Sequence, residues 1–360
     1  MIKMAFYILL FVFTVGILFC SRKKSATRLS IGILWAVYAF RDDIGVDDGN
    51  YIQVIDYLKR GWGYDVEWSY RKICELALKI GMNYKFCFFV YGTLSLILLY
   101  KALDIFFEGN FKKGIYLAGF YGTVFVSSVT VMRQFLAACF CFYAVALLYR
   151  DNKITKPLLM CAIGVVFHTG AIISIPFLFL LQRNNVVGYT KKMMIIFLCV
   201  VGGYSGILNV ILSVFTRLLP ASYQMYTSSL GQSYSTAGGT LSWLLLLMFV
   251  FQCIVSERAG IKVPEDKLDD IMEMGQLMYL GILFLFVRAG VASRLAFTFL
   301  PFVATVPITF VKRIRKVQRK VVVFILVTAM LLLMCMTLNS TAAIRSGVFI
   351  PYRGSFDFWK

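Results

Sequence analysis

Hydrophobic runs follow one another along this chain, at residues 4–20, 29–40, 86–107, 114–132, 134–149, 157–181, 193–216, 241–256, 271–287, 292–311 and 321–338. About 20 apolar residues in a helix cross the hydrocarbon core of a bilayer. In lipid each backbone N–H must be satisfied within its own segment, which a helix achieves and an irregular chain does not. A succession of such runs therefore reads as helices solvated by lipid. Composition closes the alternative: 60% hydrophobic residues, a mean hydropathy of +0.78 and 15% charged residues exceed what a soluble chain of 360 residues can hide in its core. The expected fold class is all-α, a polytopic integral membrane helical bundle of about eleven to twelve transmembrane passes. Lacking internal repeats, low-complexity tracts and linkers, residues 1–360 read as a single transmembrane domain.

The net charge of +19 belongs to the loops. Arg22, Lys23, Lys24 and Arg28 follow the first run, and Lys312, Arg313, Arg315, Lys316, Arg319 and Lys320 precede the last. Cytoplasmic loops carry such an excess of Lys and Arg, so the charge marks orientation and not nucleic-acid binding. The run from Met4 to Cys20 has no small-residue cleavage site and ends in a basic cluster, as a retained helix does. Placing both basic clusters inside requires the 157–181 run, interrupted by His168, Thr169 and Gly170, to enter and return on one side. The links 101–113, 150–156, 183–192 and 257–270, each with three Lys or Arg, then share the cytoplasmic face, and both termini lie outside.

That orientation gives the outer face a long amphipathic segment at 41–85, the turns at Arg133, His168 and Arg288 to Arg294, the 217–240 loop and a periplasmic tail at 339–360. Within 41–85, Ile73, Leu76, Ala77 and Ile80 recur at helical spacing, as in a helix lying in the interface. Trp62, Tyr64, Trp68 and Tyr70 suit either an interfacial belt or sugar stacking. The nine cysteines sit mostly inside apolar runs without metal-ligand spacing and read as small buried hydrophobes.

An arginine at the bilayer centre costs about 2.5 to 3.5 kcal/mol on insertion scales, so one embedded between apolar runs needs a reason. Arg133 has no acidic neighbour within two helical turns in sequence, and Arg288 and Arg294 flank a short apolar turn, again without a nearby carboxylate. Uncompensated guanidinium groups suit an anionic ligand, since the planar fork grips phosphate oxygens in pairs and does not lose its proton. Snorkelling to the interface is the alternative for any one of them. A second cluster, Arg41, Asp42, Asp43, Asp47 and Asp48, stands at a membrane exit, where it suits a general base, an oriented arginine or a divalent ion, or else a solvated turn with capping aspartates. His168 is the only histidine, which fits proton transfer from a sugar hydroxyl or a hydrogen bond between helices.

The ordered set of Arg41 through Gly45, Asp47 and Tyr51, then Glu67, Arg133-Gln134 with Leu136-Ala137, Phe167-His168, Ser293-Arg294 and Pro351-Tyr352 resembles the EpsG family of Wzy-type polysaccharide polymerases, over almost the whole chain. The resemblance implies a GT-C-like glycosyltransferase architecture in the bacterial inner membrane, with an active site facing the periplasm or cell exterior. It implies a polymerase of O-antigen or exopolysaccharide that moves a growing glycan from undecaprenyl pyrophosphate to the non-reducing end of the next lipid-linked repeat. Its partners would be those repeats, the bilayer and a chain-length regulator protein. No cofactor or metal is expected, because arginines supply the positive charge. The expected roles are Asp47, His168 and Arg41 in catalysis; Arg133, Arg288, Arg294 and Gln134 on the pyrophosphate; and Glu67, Tyr51 and Tyr352 on sugars. The doubled Asp42-Asp43 and Asp47-Asp48 are richer in acid than the family pattern and leave the key carboxylate open. Three other readings stand beside it: a flippase of lipid-linked sugars, an O-antigen ligase-like transferase, and a magnesium-dependent prenyltransferase whose second acidic motif would be Asp269-Asp270 with Glu273.

Overall fold

A computed structural model describes residues 4–62, 66–183, 186–206, 239–264, 266–314, 316–342 and 348–359. Most of the 217–240 loop lies outside the described residues. Among the described residues the chain is helical throughout, apart from short links and two isolated bridges, Arg41 to Gly354 and Met82 to Trp359. The helices are α1 Ala5–Cys20, α2 Lys24–Ala39, α3 Asp48–Lys59, α4 Trp68–Lys79, α5 Lys85–Phe106, α6 Asn110–Thr123, α7 Phe125–Thr130, α8 Met132–Asp151, α9 Thr155–Phe167, α10 Ser174–Gln182, α11 Tyr189–Tyr204, α12 Thr240–Arg258, α13 Lys267–Leu285, α14 Leu300–Val303, α15 Val306–Lys312 and α16 Arg319–Ala342. Tight 3₁₀ turns at Thr169–Ile173, Gly290–Phe299 and Lys316–Gln318 complete it.

Sequence decides where each helix sits. α8 is apolar on every face, from Phe135 through Leu148, and lies buried at the centre between α5 and α9. α16 exposes Val321, Phe324, Ile325, Leu332 and Met336, the surface of a helix facing lipid. Proline marks one sharp break: Ala292–Val303 and Val306–Lys312 meet at 50°, with Pro307 in the first turn of α15, where its missing N–H and its ring interrupt the ladder. α6 crosses that break closely, and only glycine fits at 119, since a Cβ would stand 2.3 Å from the Ala304 carbonyl oxygen.

Four described helices are long and apolar enough to cross a membrane by themselves, α5, α8, α12 and α16, or five spans if the bent pair is one. The expected eleven to twelve passes are more than this length test supports. The chain spends its apolar runs on shorter or broken helices, such as α1, α9 and the 169–182 segment. The 157–181 run is two short helices parted at His168, whose extended backbone (φ −158°, ψ 119°) ends α9.

The bundle has two unlike ends. Asn110 donates to the carbonyls of Ser21 and Lys23, Lys267 to Asn152, and Tyr189 N to the Lys262 carbonyl. Lys312 pairs with Asp269. Together these contacts gather the basic links at one end. Beneath them, Lys192 is fully buried between Asp270 (3.0 Å) and Glu273 (2.8 Å), while Arg313 bonds Glu273 and Tyr189. The second acidic motif of the prenyltransferase reading is thus occupied by cations, at the end away from Asp42. α9 leaves the basic end after Asp151 and α10 returns to it before Tyr189, so His168 turns at the opposite end.

Candidate active site

Five separate parts of the sequence build that opposite end. The link 41–47 leads into α3, and Glu67 stands directly before α4. Arg133 opens α8, His168 stands just before the 169–173 3₁₀ turn, and Arg294 sits within the 290–299 one. α4 buries Tyr70, Cys74 and Ala77 and exposes Leu76 and Ile80, so its buried stripe is one residue out of step with the expected Ile73, Leu76, Ala77, Ile80 set. That stripe faces α5 and α9, and Glu67, just ahead of α4, reaches Arg133 at the start of α8.

Arg133 meets Glu67 there. Its guanidinium bonds Glu67 Oε2 and stacks over the rings of Tyr51 (5.1 Å) and Tyr70 (5.5 Å). The other carboxylate oxygen, Oε1, lies 2.8 Å from His168 Nδ1. The expectation of an uncompensated Arg133 is therefore corrected: its partner comes from 66 residues away, beyond any local search for carboxylates. Glu67, expected as a sugar contact, instead joins the arginine to the histidine. Tyr51, also expected on sugar, is 4% exposed and forms the floor under the guanidinium.

Arg294 arrives by a different route. Gln134 Nε2, buried in the first turn of α8, donates to the Arg294 carbonyl at 2.7 Å, and Thr298 Oγ1 donates to the Gly170 carbonyl at 3.3 Å. These bonds fasten the Arg294 turn to both α8 and the His168 turn. Arg294 Nε is buried with no hydrogen-bond partner among the described residues. A buried unpartnered donor costs about 1–3 kcal/mol, and the Nε atoms of Arg41 and Arg313 share that state. Asp47 completes the group. Burial pushes its carboxyl above the usual carboxylate range, while Arg294 and Arg133 pull it back down.

Arg41 stands apart from this cluster. It is 1% exposed and pairs with Asp48 at 3.0 Å, with its guanidinium 4.4 Å over the Phe88 ring and 3.3 Å from Met132 Sδ. Asp48 also accepts from Ile44 N (3.1 Å) and Gly45 N (2.8 Å). Residues 348–359 cross the same region as a strap: Phe349 N bonds the Ile44 carbonyl, Asp42 N the Arg353 carbonyl and Ser355 N the Phe40 carbonyl. Tyr352 belongs to that strap, its ring stacked on Phe6 and its hydroxyl donated to the Val37 carbonyl. The expected catalytic Arg41 is thus a buried ion pair. Arg288 is exposed beside the end of α11, one guanidinium nitrogen 3.6 Å from where a Cβ on Gly206 would stand.

A cation-rich cluster with one imidazole and two carboxylates, at one end of a helical bundle, is fitted to an anionic ligand and a proton transfer. Residues 24–353 match the sequence model of the EpsG family. The chain belongs to the EpsG family. No curated protein and no solved structure matches it. EpsG membership suggests a membrane protein of the polysaccharide polymerase type, and the matched span takes in Arg41, Asp47, Glu67, Arg133, His168, Arg294 and Tyr352.

Proposed function

We propose that this EpsG-family chain is a polysaccharide polymerase that transfers a growing glycan from undecaprenyl pyrophosphate to the non-reducing end of a lipid-linked repeat. One observation carries the reading: Arg133, Glu67 and His168, distant in sequence, meet at a single point, with Asp47 and Arg294 within electrostatic reach. Departure of pyrophosphate from an anomeric carbon builds negative charge on the leaving oxygens. Fixed donors aimed there stabilise the transition state more than the ground state. Arg294 and Arg133 supply those donors, and Arg288 extends the cationic surface for the lipid phosphates. His168 or Asp47 takes the proton of the acceptor hydroxyl. The chain's own guanidinium groups provide the charge that the reaction needs.

Positive-inside orientation places the basic links in the cytoplasm and this cluster at the periplasmic or exterior face of the inner membrane. The α3–α4 segment and the 348–359 strap then lie on that outer face, beside lipid-linked repeats in the outer leaflet.

The test is elongation by purified protein in detergent, supplied with undecaprenyl-pyrophosphate-linked repeats. A ladder of longer glycans is expected. Detergent has no compartments, so a flippase gives no ladder, and the lack of one with folded protein rejects the polymerase.

A further inference from the structure

One carboxylate faces both the arginine and the histidine of the site. Glu67 Oε2 accepts from Arg133, and Glu67 Oε1 lies 2.8 Å from His168 Nδ1. A carboxylate bonded to a guanidinium is ionised and only accepts, so the hydrogen of the second contact sits on Nδ1. In a neutral imidazole this leaves Nε2 bare, its lone pair directed away from Glu67. Nε2 lies against Gly170: a Cβ there would stand 3.1 Å from Nε2 and 3.2 Å from Cδ2. The absent side chain keeps that flank of the basic nitrogen uncrowded. Glu67 itself is one-fifth exposed and His168 one-quarter, so both are reachable from the surface.

We propose that Glu67 is the positioning residue of this site: it holds His168 in the Nδ1–H tautomer, so that Nε2 is the base for the acceptor hydroxyl, and its second oxygen keeps Arg133 in register with that ring. The inference rests on the polymerase reading and sharpens it, assigning the proton to His168 and leaving Asp47 to the field of Arg294 and Arg133. The acceptor oxygen forms its bond to the donor anomeric carbon as the bond from that carbon to pyrophosphate breaks. The electron pair departs with pyrophosphate, and the hydroxyl proton moves to Nε2. No oxidant or reductant enters.

His168 is the only histidine, so ¹⁵N-histidine labelling behind a histidine-free affinity tag gives the spectrum of one ring. At about pH 8, above the ordinary histidine pKa of ~6.5, the wild type is expected to show Nδ1 protonated and Nε2 bare. Glu67→Gln, whose amide both donates and accepts, is expected to lose that single tautomer. Its kcat should fall about tenfold to a hundredfold with KM for the lipid-linked repeat within about threefold. In a His168→Asn background the same change should cost less than about twofold, because the positioned ring is already gone.

A wild-type ring protonated at Nε2 overturns the proposal. So does a Glu67→Gln protein that keeps the wild-type tautomer and kcat. A loss that persists in His168→Asn but vanishes in Arg133→Lys also overturns it, since Glu67 would then act only through the arginine. Wild-type protein that shows the expected tautomer but never elongates rejects the polymerase reading instead, so the two failures are told apart.

Discussion

Replacing Arg41 with methionine separates a structural role from a chemical one. Arg41 and Asp48 are 1% and 0% exposed, so the substitution strands a carboxylate that water does not reach. Breaking a buried ion pair by removing one partner costs about 3–5 kcal/mol. Asp48 keeps the N–H groups of Ile44 and Gly45, which hold part of its charge and place the expected loss at the lower end, about 3 kcal/mol. At ~2 °C of midpoint per kcal/mol in a chain of this size, the apparent Tm should drop by ~6 °C. Arg41→Met with Asp48→Asn removes both charges and should regain most of that loss, as neutral replacements of buried pairs do. The assay is fluorescence-detected size exclusion after heating in one detergent, at fixed heating times because such unfolding is irreversible and only differences carry meaning. Elongation per folded molecule should stay near wild type in both variants. An Arg41→Met protein with an unchanged midpoint and no elongation refutes this reasoning and returns Arg41 to the reaction itself.

Other outcomes follow from the same geometry. Arg133→Lys keeps the charge but loses the planar fork over Tyr51 and Tyr70, so elongation should fall by at least about tenfold while the melting midpoint moves little, read from glycan ladders and thermal scans. Lys192→Met leaves Asp270 without its cation and Glu273 with Arg313 alone, and stability should drop by about 3 kcal/mol with activity per folded molecule preserved; lost activity at full stability would contradict it. Gly119→Leu forces α6 off the break at Ala304, so the yield of monodisperse protein should collapse, and a wild-type yield would show that the helices part easily. Asp47→Asn should raise the midpoint at about pH 8 and leave it unchanged at pH ~3. A carboxyl whose folded pKa is raised destabilises the fold progressively as pH climbs from its unfolded value to the raised folded one, fully above the latter and not at all below the former.

Much of the site was legible as residue types and little of it as contacts. Arg133 and Arg294 stood out because charge inside apolar runs is expensive, and His168 because it interrupted a run. Glu67 carried only the signal of an acid before an amphipathic helix, and its bonds to Arg133 and His168 span 66 and 101 residues. Arg41 looked as reactive as the others. Its difference is burial against Asp48, Phe88 and Met132, the last two 47 and 91 residues away in sequence.

The sequence by itself determined that the chain is helical, that lipid is its solvent, and that its basic links share one end, because apolar run length and the price of burying charge are properties of each segment alone. Tertiary structure decided which arginine is paired with which carboxylate and which runs break into shorter helices. Those outcomes depend on side chains tens to hundreds of residues apart arriving at one point, and on Pro307 and Gly119 meeting where α6 crosses the break. Pairing of charges is a pairwise distance, and no single segment contains it.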